Sequence, residues 1–411
     1  MVEAGPAATP RVAVRTLTDD DAVARAFVTG YAFAEDRGEQ AVARFAEQYP
    51  MEWTRGLFLD GALIASLLVI PYTLCFEGAE LRLGGIADVA CLPEHRRQGY
   101  VARLLRDTLA ELHARGMPLS GLYTPHVPLY RRYGWEVATE TLLLRFPTKQ
   151  AALRGGAPPR GHVERVGPDE WRRLDRLYNA WIAGRNSGLR RWETRWRYHV
   201  FAGTEHRAGD AAVWVDENGK DQGYAVYRET GWQQGRRGDL EVREVVGLDG
   251  DAYRGLLAYL LTHDLTQDTV WWFASEDEPL LCILHDPAIV RVERRHGLLL
   301  RIVDLQRAFA QRPCYAPAGT AITIALQDRD CPWNAGCWRL ASEGGRVAAE
   351  RSAEPAALSL DACTLAALFN GSLAPATAAT AGLLAVHDPS ALEAASALLA
   401  VRHRPACSES F

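Results

Sequence analysis

No long basic run occurs anywhere in this chain, and its formal net charge is only -5. Nucleic acid is therefore not an expected partner. No Cys-x-x-Cys pair occurs either, and the eight cysteines are scattered. Thiols without metal-ligand spacing, in a chain this long, read as reduced and mostly buried, with no metal site. Cys331 and Cys337 bracket "CPWNAGC" and have a spacing that oxidising conditions could bond, but buried free thiols are the expectation. The N-terminal "MVEAGPAATPRVAVRTL" has no apolar core of the kind a secretion leader needs, so a cytoplasmic location is expected. The longest apolar run, "GALIASLLVIPYTL", is short and carries Pro71, which reads as a core strand and not a membrane span.

What is present is ordinary for a soluble globular protein: 48% hydrophobic and 24% charged residues. A length of 411 residues allows two to four domains, each with its own core. Residues 1–148 mix helices and strands. "RVAVRTL" reads as a strand, then "DDDAVARAFVTGYAF" and "GEQAVARFAEQYP" as two helices. Consecutive strands follow, with turns at Asp60-Gly61 and Glu77-Gly78. Val101, Leu104, Leu105, Thr108, Leu109 and Leu112 then share one helical face, which Gly116 ends. "KQAALRGGAPPRGH" (149–162) reads as a linker. Residues 149–305 hold a hairpin at Asn218-Gly219 and a strand–loop–helix unit, "LEVREVVGLDGDAYRGLLAYLLTHDL", that echoes the one in the first part. Residues 306–411 shift to alanine, leucine, short strands and two helices, an α+β composition. The expected fold class is α/β and α+β, in three domains.

"VACLPEHRRQGYVARLLRDTL" (89–109) carries the chemistry. A strand leads into a loop holding Arg96, Arg97, Gln98 and Gly99, and a helix begins there. The first turn of a helix has free N–H groups and the positive end of its dipole, which suit a pyrophosphate. Gly99 lets backbone approach phosphate oxygens without an intervening Cβ, and the arginines can pair with the charge. The bland alternative is an arginine-rich loop solvated at a helix start; the strand–loop–helix order disfavours it. No Gly-Lys-Ser follows, so this is not a Walker A loop.

This arrangement resembles the coenzyme A site of the GNAT acetyltransferases. Their Arg/Gln-x-x-Gly-x-Gly/Ala pattern falls on Arg96, Gly99 and Val101, the valine departing from the common small residue. The resemblance implies a cofactor-binding set of Val89, Ala90, Cys91, Arg96, Arg97, Gln98, Gly99, Tyr100, Val101, Ala102, Pro125 and His126. It also implies that the backbone of residues 89–91 is left free by a splayed strand. Cys91 has no evident partner base, so it reads as a core thiol or cofactor wall and not as a nucleophile. "LYTPHVPLYRRYGWEV" (122–137) matches a second GNAT signature, a tyrosine four residues before a Gly-aromatic pair. That tyrosine is Tyr130, which the resemblance makes the general acid toward the departing thiolate; Tyr133 is its competitor.

Three features narrow the resemblance to the Eis (enhanced intracellular survival) family: the "HRRQGYV" form of the loop, "DRDCPWNAGCWRL" (328–340), and the terminal phenylalanine. It implies tandem GNAT-like domains followed by a sterol-carrier-protein-like domain, the second GNAT-like domain being degenerate. By that resemblance the chain is an acetyl-CoA-dependent N-acetyltransferase of primary amines on a cationic small molecule, such as an aminoglycoside. The resemblance further implies that the carboxylate of Phe411 is the general base and that the chain forms a homo-oligomer, a hexamer. Tyr31, Phe33, Glu35, Asp36 and Glu409, with Glu39 beside them, are candidates for gripping the cationic substrate, against a reading as solvated helix end. Trp333 and Trp338 read as core residues. The alternatives are transfer from another acyl-CoA, or to a protein lysine, on a plan that the N-myristoyltransferases resemble. An alternative of another class is a non-enzymatic ligand-binding protein.

Overall fold

The computed structural model describes residues 11–156, 159–201, 209–231 and 237–411. Most of the N-terminal segment read for a leader, and residues 157 and 158 of the linker stretch, lie outside the described residues.

Turn chemistry sets the first hairpins. Asp60 and Gly61 have φ of 50° and 89°, Glu77 and Gly78 of 48° and 91°. Positive φ at both positions gives a two-residue turn whose twist matches the flanking strands. Strands Thr54–Leu59, Ala62–Phe76 and Ala79–Cys91 therefore follow one another as antiparallel neighbours. Helix Tyr100–Ala114 buries Leu104, Leu105, Thr108, Leu109 and Leu112, the face its spacing predicts. Each such leucine contributes about 1.5–3 kcal/mol. Gly84 makes room for the last of them: a Cβ there would fall 2.7 Å from Leu112 Cδ2.

The described strands form sheets of eight, seven and five members. The expected boundary at 148/149 needs correction, because strands are exchanged across it. Glu140–Pro147 lies in the second sheet, between Asp268–Ala274 and Arg291–His296. Leu299–Ile302 lies in the first, between Leu119–Leu122 and Glu136–Val137. Asn186–Leu189 also pairs with the long first-sheet strand, at Leu74–Phe76. Apolar alternation says that a segment is a strand; it does not say which sheet takes it.

The third sheet runs Arg346–Arg351, Gly336–Glu343, Ala321–Gln327, Leu358–Asp361, Leu384–Val386. One apolar cluster joins it to the first sheet, from Leu83, Leu119 and Leu300 through Phe309 to Ile324, Trp338 and Leu365. Trp338 is buried and donates to Asn334 O. Trp333 donates to Val303 O and stacks on His113 of the first domain, 4.3 Å between centroids. All eight cysteines are free thiols.

Candidate active site

The site begins with a ladder that stops on one side. Strand Ala79–Cys91 pairs in parallel with Leu119–Leu122, and the last rung is Ile86 to Leu122. On its other side pairing continues to Cys91. The edge of residues 87–91 that faced the parallel neighbour is therefore left without a strand partner. Within that stretch Leu68 pairs with Ala87 and Ser66 with Ala90, so the strand carries one extra residue. Asp88, at φ 50°, takes up the bulge. Bulges of this kind redirect a strand beside a functional site.

The chain then turns through Pro93–His95 into helix Tyr100–Ala114. Gly99 is the N-cap, at φ 86°, and no side chain caps the helix. The first helical bond is Arg103 N–H to Gly99 O, so the amides of Tyr100, Val101 and Ala102 have no partner in the helix. Arg97, at φ 63°, completes the sharp entry. Arg96 Nε donates to Cys91 O at 3.0 Å, which ties the loop to the end of the strand.

These elements line a cleft of about 860 Å³. Val89, Cys91, Arg96, Arg97 and Gly99 face it, as do Tyr100, Val101, Ala102, Pro125 and His126. Two expected residues do not. Ala90 is buried on the opposite side, among Leu17, Val28 and Phe58, because neighbouring strand residues face opposite ways. Gln98 is spent locally, donating from Nε2 to Glu94 O at 2.9 Å. Cys91 is buried with its thiol toward Leu92 O, and burial raises its pKa, so it remains a poor nucleophile.

Tyr130 lies on the short helix Val127–Arg131 and faces the cleft, as does Tyr133. Desolvation pushes the Tyr130 phenol up to about 12, so it keeps its proton. The Gly134 that follows is required twice over: φ is 87°, and a Cβ would come within 2.7 Å of Arg301 Nε. Arg301 is in turn buried against Asp328, 2.6 Å away in the third domain.

Phe411 reaches the same cleft from the far end of the chain. Its ring lies 4.8 Å from that of Tyr72 and 5.1 Å, edge to face, from that of Tyr123. Of the substrate candidates, Phe33 lines the cleft. Tyr31, Glu35 and Asp36 are exposed and do not. Tyr31 sits against Phe27 and under Arg37. Asp36 accepts from Gly38 N–H at 3.0 Å, the solvated helix-end reading. Glu409 is a correction: its carboxylate is fully buried between Arg191 and Arg195 and does not line this cleft. Sequence reasoning missed Asp88, a residue that lines the cleft and whose carboxylate pairs with Arg25 at 2.6 Å. An aspartate inside a strand segment was the available signal.

The equivalent turn of the second sheet differs. Strand Leu240–Gly247 leads to helix Gly250–Leu260, whose N-terminus is capped by the Asp249 carboxylate accepting from Ala252 N–H at 2.8 Å. A carboxylate already occupies the position that suits an anion.

The acetyltransferase (GNAT) domain model matches residues 13–138, a second one residues 187–302, and the sterol carrier protein domain residues 305–408. An uncharacterised N-acetyltransferase of Streptomyces griseus is 28% identical over 97% of this chain and 99% of its own. The N-acetyltransferase Eis of Mycobacterium bovis is 26% identical over 90% of this chain and 92% of its own. Among solved structures, Eis1 of Mycobacterium abscessus superposes with a TM-score of 0.83 at 24% identity, covering 97% of this chain and 100% of its own. A GCN5-related N-acetyltransferase of Anabaena variabilis gives 0.88 at 20%, covering 98% and 100%. The chain belongs to the GNAT superfamily of N-acetyltransferases, and within it is Eis-like, with two GNAT domains followed by a sterol-carrier-protein-like domain. The non-enzymatic alternative is thereby set aside. Among the described residues no helix is long and apolar enough to cross a membrane.

Proposed function

We propose that this enzyme moves an acetyl group from acetyl-CoA to a primary amine of a cationic small molecule, of the aminoglycoside or polyamine kind. The observation that carries the reading is convergence. Tyr130 and Phe411, far apart in the chain, line one cleft with an uncapped helix start and a strand edge without a partner.

The residues present suit the coenzyme. The amides at Tyr100–Ala102 and the guanidinium groups of Arg96 and Arg97 would hold its pyrophosphate. The open edge at 87–91 would hold the pantetheine amides and, through an N–H, polarise the acetyl carbonyl. When bound, acetyl-CoA supplies an acetyl group activated as a thioester. Phe411 takes the proton from the substrate ammonium through its terminal carboxylate, directly or by way of a water. A carboxylate of ordinary pKa near 3.5 is a weak base for an amine near 10, so positioning supplies much of its effect. Tyr130 donates its phenolic proton as the C–S bond breaks, and the products are an amide and a free thiol. Asp88, with Phe33 and Tyr123 as walls, is the acidic group that would meet a substrate cation. With Asp249 closing the second helix start, one acetyl-CoA binds per chain.

The test is thiol release from acetyl-CoA and from longer acyl-CoAs over a panel of aminoglycosides, polyamines and a lysine peptide, with mass counting of the groups added. Release with acetyl-CoA and cationic amines is expected. Release with the longer acyl-CoAs alone, or with the peptide alone, would overturn the assignment.

A further inference from the structure

The residues just before Phe411 are held by arginines of the second domain. Glu409 accepts from Arg191 Nε at 2.6 Å, from Arg195 Nη2 at 2.7 Å and from Arg195 Nε at 3.1 Å. Arg195 Nη2 also donates to Ser410 O at 2.7 Å. Arg191 reaches Ser408 Oγ at 3.1 Å, and Arg243 donates to Ser408 O at 3.3 Å. Arg191 is itself held by both oxygens of Glu244, each 2.7 Å away. Three arginines face two glutamates here, and Glu409, Arg191 and Arg195 are all buried.

A chain end is ordinarily free to fray. Burying an ion network is a poor way to gain stability, because desolvation cancels much of the attraction. It is a good way to fix geometry, since a fork of parallel N–H bonds defines both direction and distance. Here the fixed atoms are the Glu409 carboxylate and the Ser410 carbonyl, the last groups before Phe411, which lines the cleft.

We infer that Glu409 is a positioning residue: clasped by Arg191 and Arg195, it fixes the Ser410 main chain so that the terminal carboxylate of Phe411 stays aimed into the cleft. The inference rests on the reading of Phe411 as the base. It gives the second domain a part in catalysis although its own helix start is closed: it is the holder of a base that works in the first domain.

The test is a cycle of three chains assayed by thiol release: Glu409→Gln, the chain lacking Phe411, and both changes together. Glu409→Gln is expected to lower kcat roughly 10- to 100-fold with the KM for acetyl-CoA unchanged, the scale of a small misplacement. In the chain lacking Phe411 it is expected to cause no further loss, because it acts only through that residue. Wild-type kcat in Glu409→Gln, or losses that multiply, would overturn the inference and leave the base reading standing. Full activity without Phe411 would overturn the base reading itself. Should Glu409→Gln fail to melt cooperatively, Arg195→Lys takes its place in the cycle, keeping the charge and losing the fork, with the same expectations.

Discussion

A Cβ added to Gly85 would lie 2.9 Å from Cε2 of Phe411 and 2.8 Å from Cδ2 of Tyr72. The strand is bare at this point so that the terminal ring can lie against it.

Gly85→Ala should therefore displace the Phe411 ring. Overpacking of this size costs about 1–3 kcal/mol. The expected outcome is a lower melting temperature and a kcat reduced at least tenfold, with acetyl-CoA binding by calorimetry close to wild type. Gly84→Ala, which meets Leu112 instead, is the comparison: it should lose stability with a much smaller loss of kcat.

Tyr130→Phe removes the phenol and little else. General acid catalysis is worth roughly 10²–10⁴-fold, and kcat should fall on that scale with the KM for acetyl-CoA unchanged. The phenol, held at about 12, stays protonated through the working range. Raising pH from 7 to 10 should cost no activity through Tyr130, and a basic limb in that window that vanishes in the variant would contradict the assignment.

Asp88→Asn keeps the side-chain shape and tolerates the positive φ of the bulge. It removes the negative charge that would meet a cationic amine. The KM for the amine should rise about tenfold, as for loss of one charged hydrogen bond, while the KM for acetyl-CoA holds. Equal amine KM in both proteins would place the ammonium elsewhere.

His199 gives a pH dependence of stability. Burial, and then the nearby Arg195 charge, lower its pKa to about 3, against an ordinary value near 6.5. Tyr49, Gln48, Arg243 and Glu409 also face it. Between those two pKa values the unfolded chain binds the extra proton, so stability is full above about 6.5 and is lost as pH falls toward 3. The slope is at most about 1.4 kcal/mol per pH unit, reduced because solvent reaches part of the ring. Chemical denaturation at pH 7 and pH 5 should show wild type losing more stability than His199→Gln. Parallel losses would assign the effect to other groups.

What was legible in the sequence was local. "EHRRQGY" announces a strand, a sharp loop and a helix start within a dozen residues, and the turns at Asp60-Gly61 and Glu77-Gly78 need only their own φ preferences. Tyr130 is identified by its distance to Gly134, which in turn is fixed by Arg301. What was not legible depends on partners far along the chain. Glu409 looks like an exposed tail acid until Arg191 and Arg195, more than 200 residues earlier, close on it. The placement of Asp88 at the cleft follows from pairing that slips by one residue between Ala87 and Ala90. Glu35 and Asp36 carried the right charge for a cation, but the chain turns them to solvent: the helix ends at Ala34, at φ 58°, and Asp36 is used to bond Gly38.

The strand exchange has a consequence for synthesis. Leu299–Ile302 sits inside the first sheet, between segments that end at Leu122 and Val137. A ribosome that has released the first 150 residues has therefore made a sheet with a gap, its strand edges open to the wrong partner. Closure waits for some 150 more residues to emerge, which at ordinary elongation speeds is on the order of ten seconds. Fragments cut at 148/149 would carry that gap permanently, so aggregation, rather than an isolated working acetyltransferase domain, is the outcome to plan for when the chain is divided there.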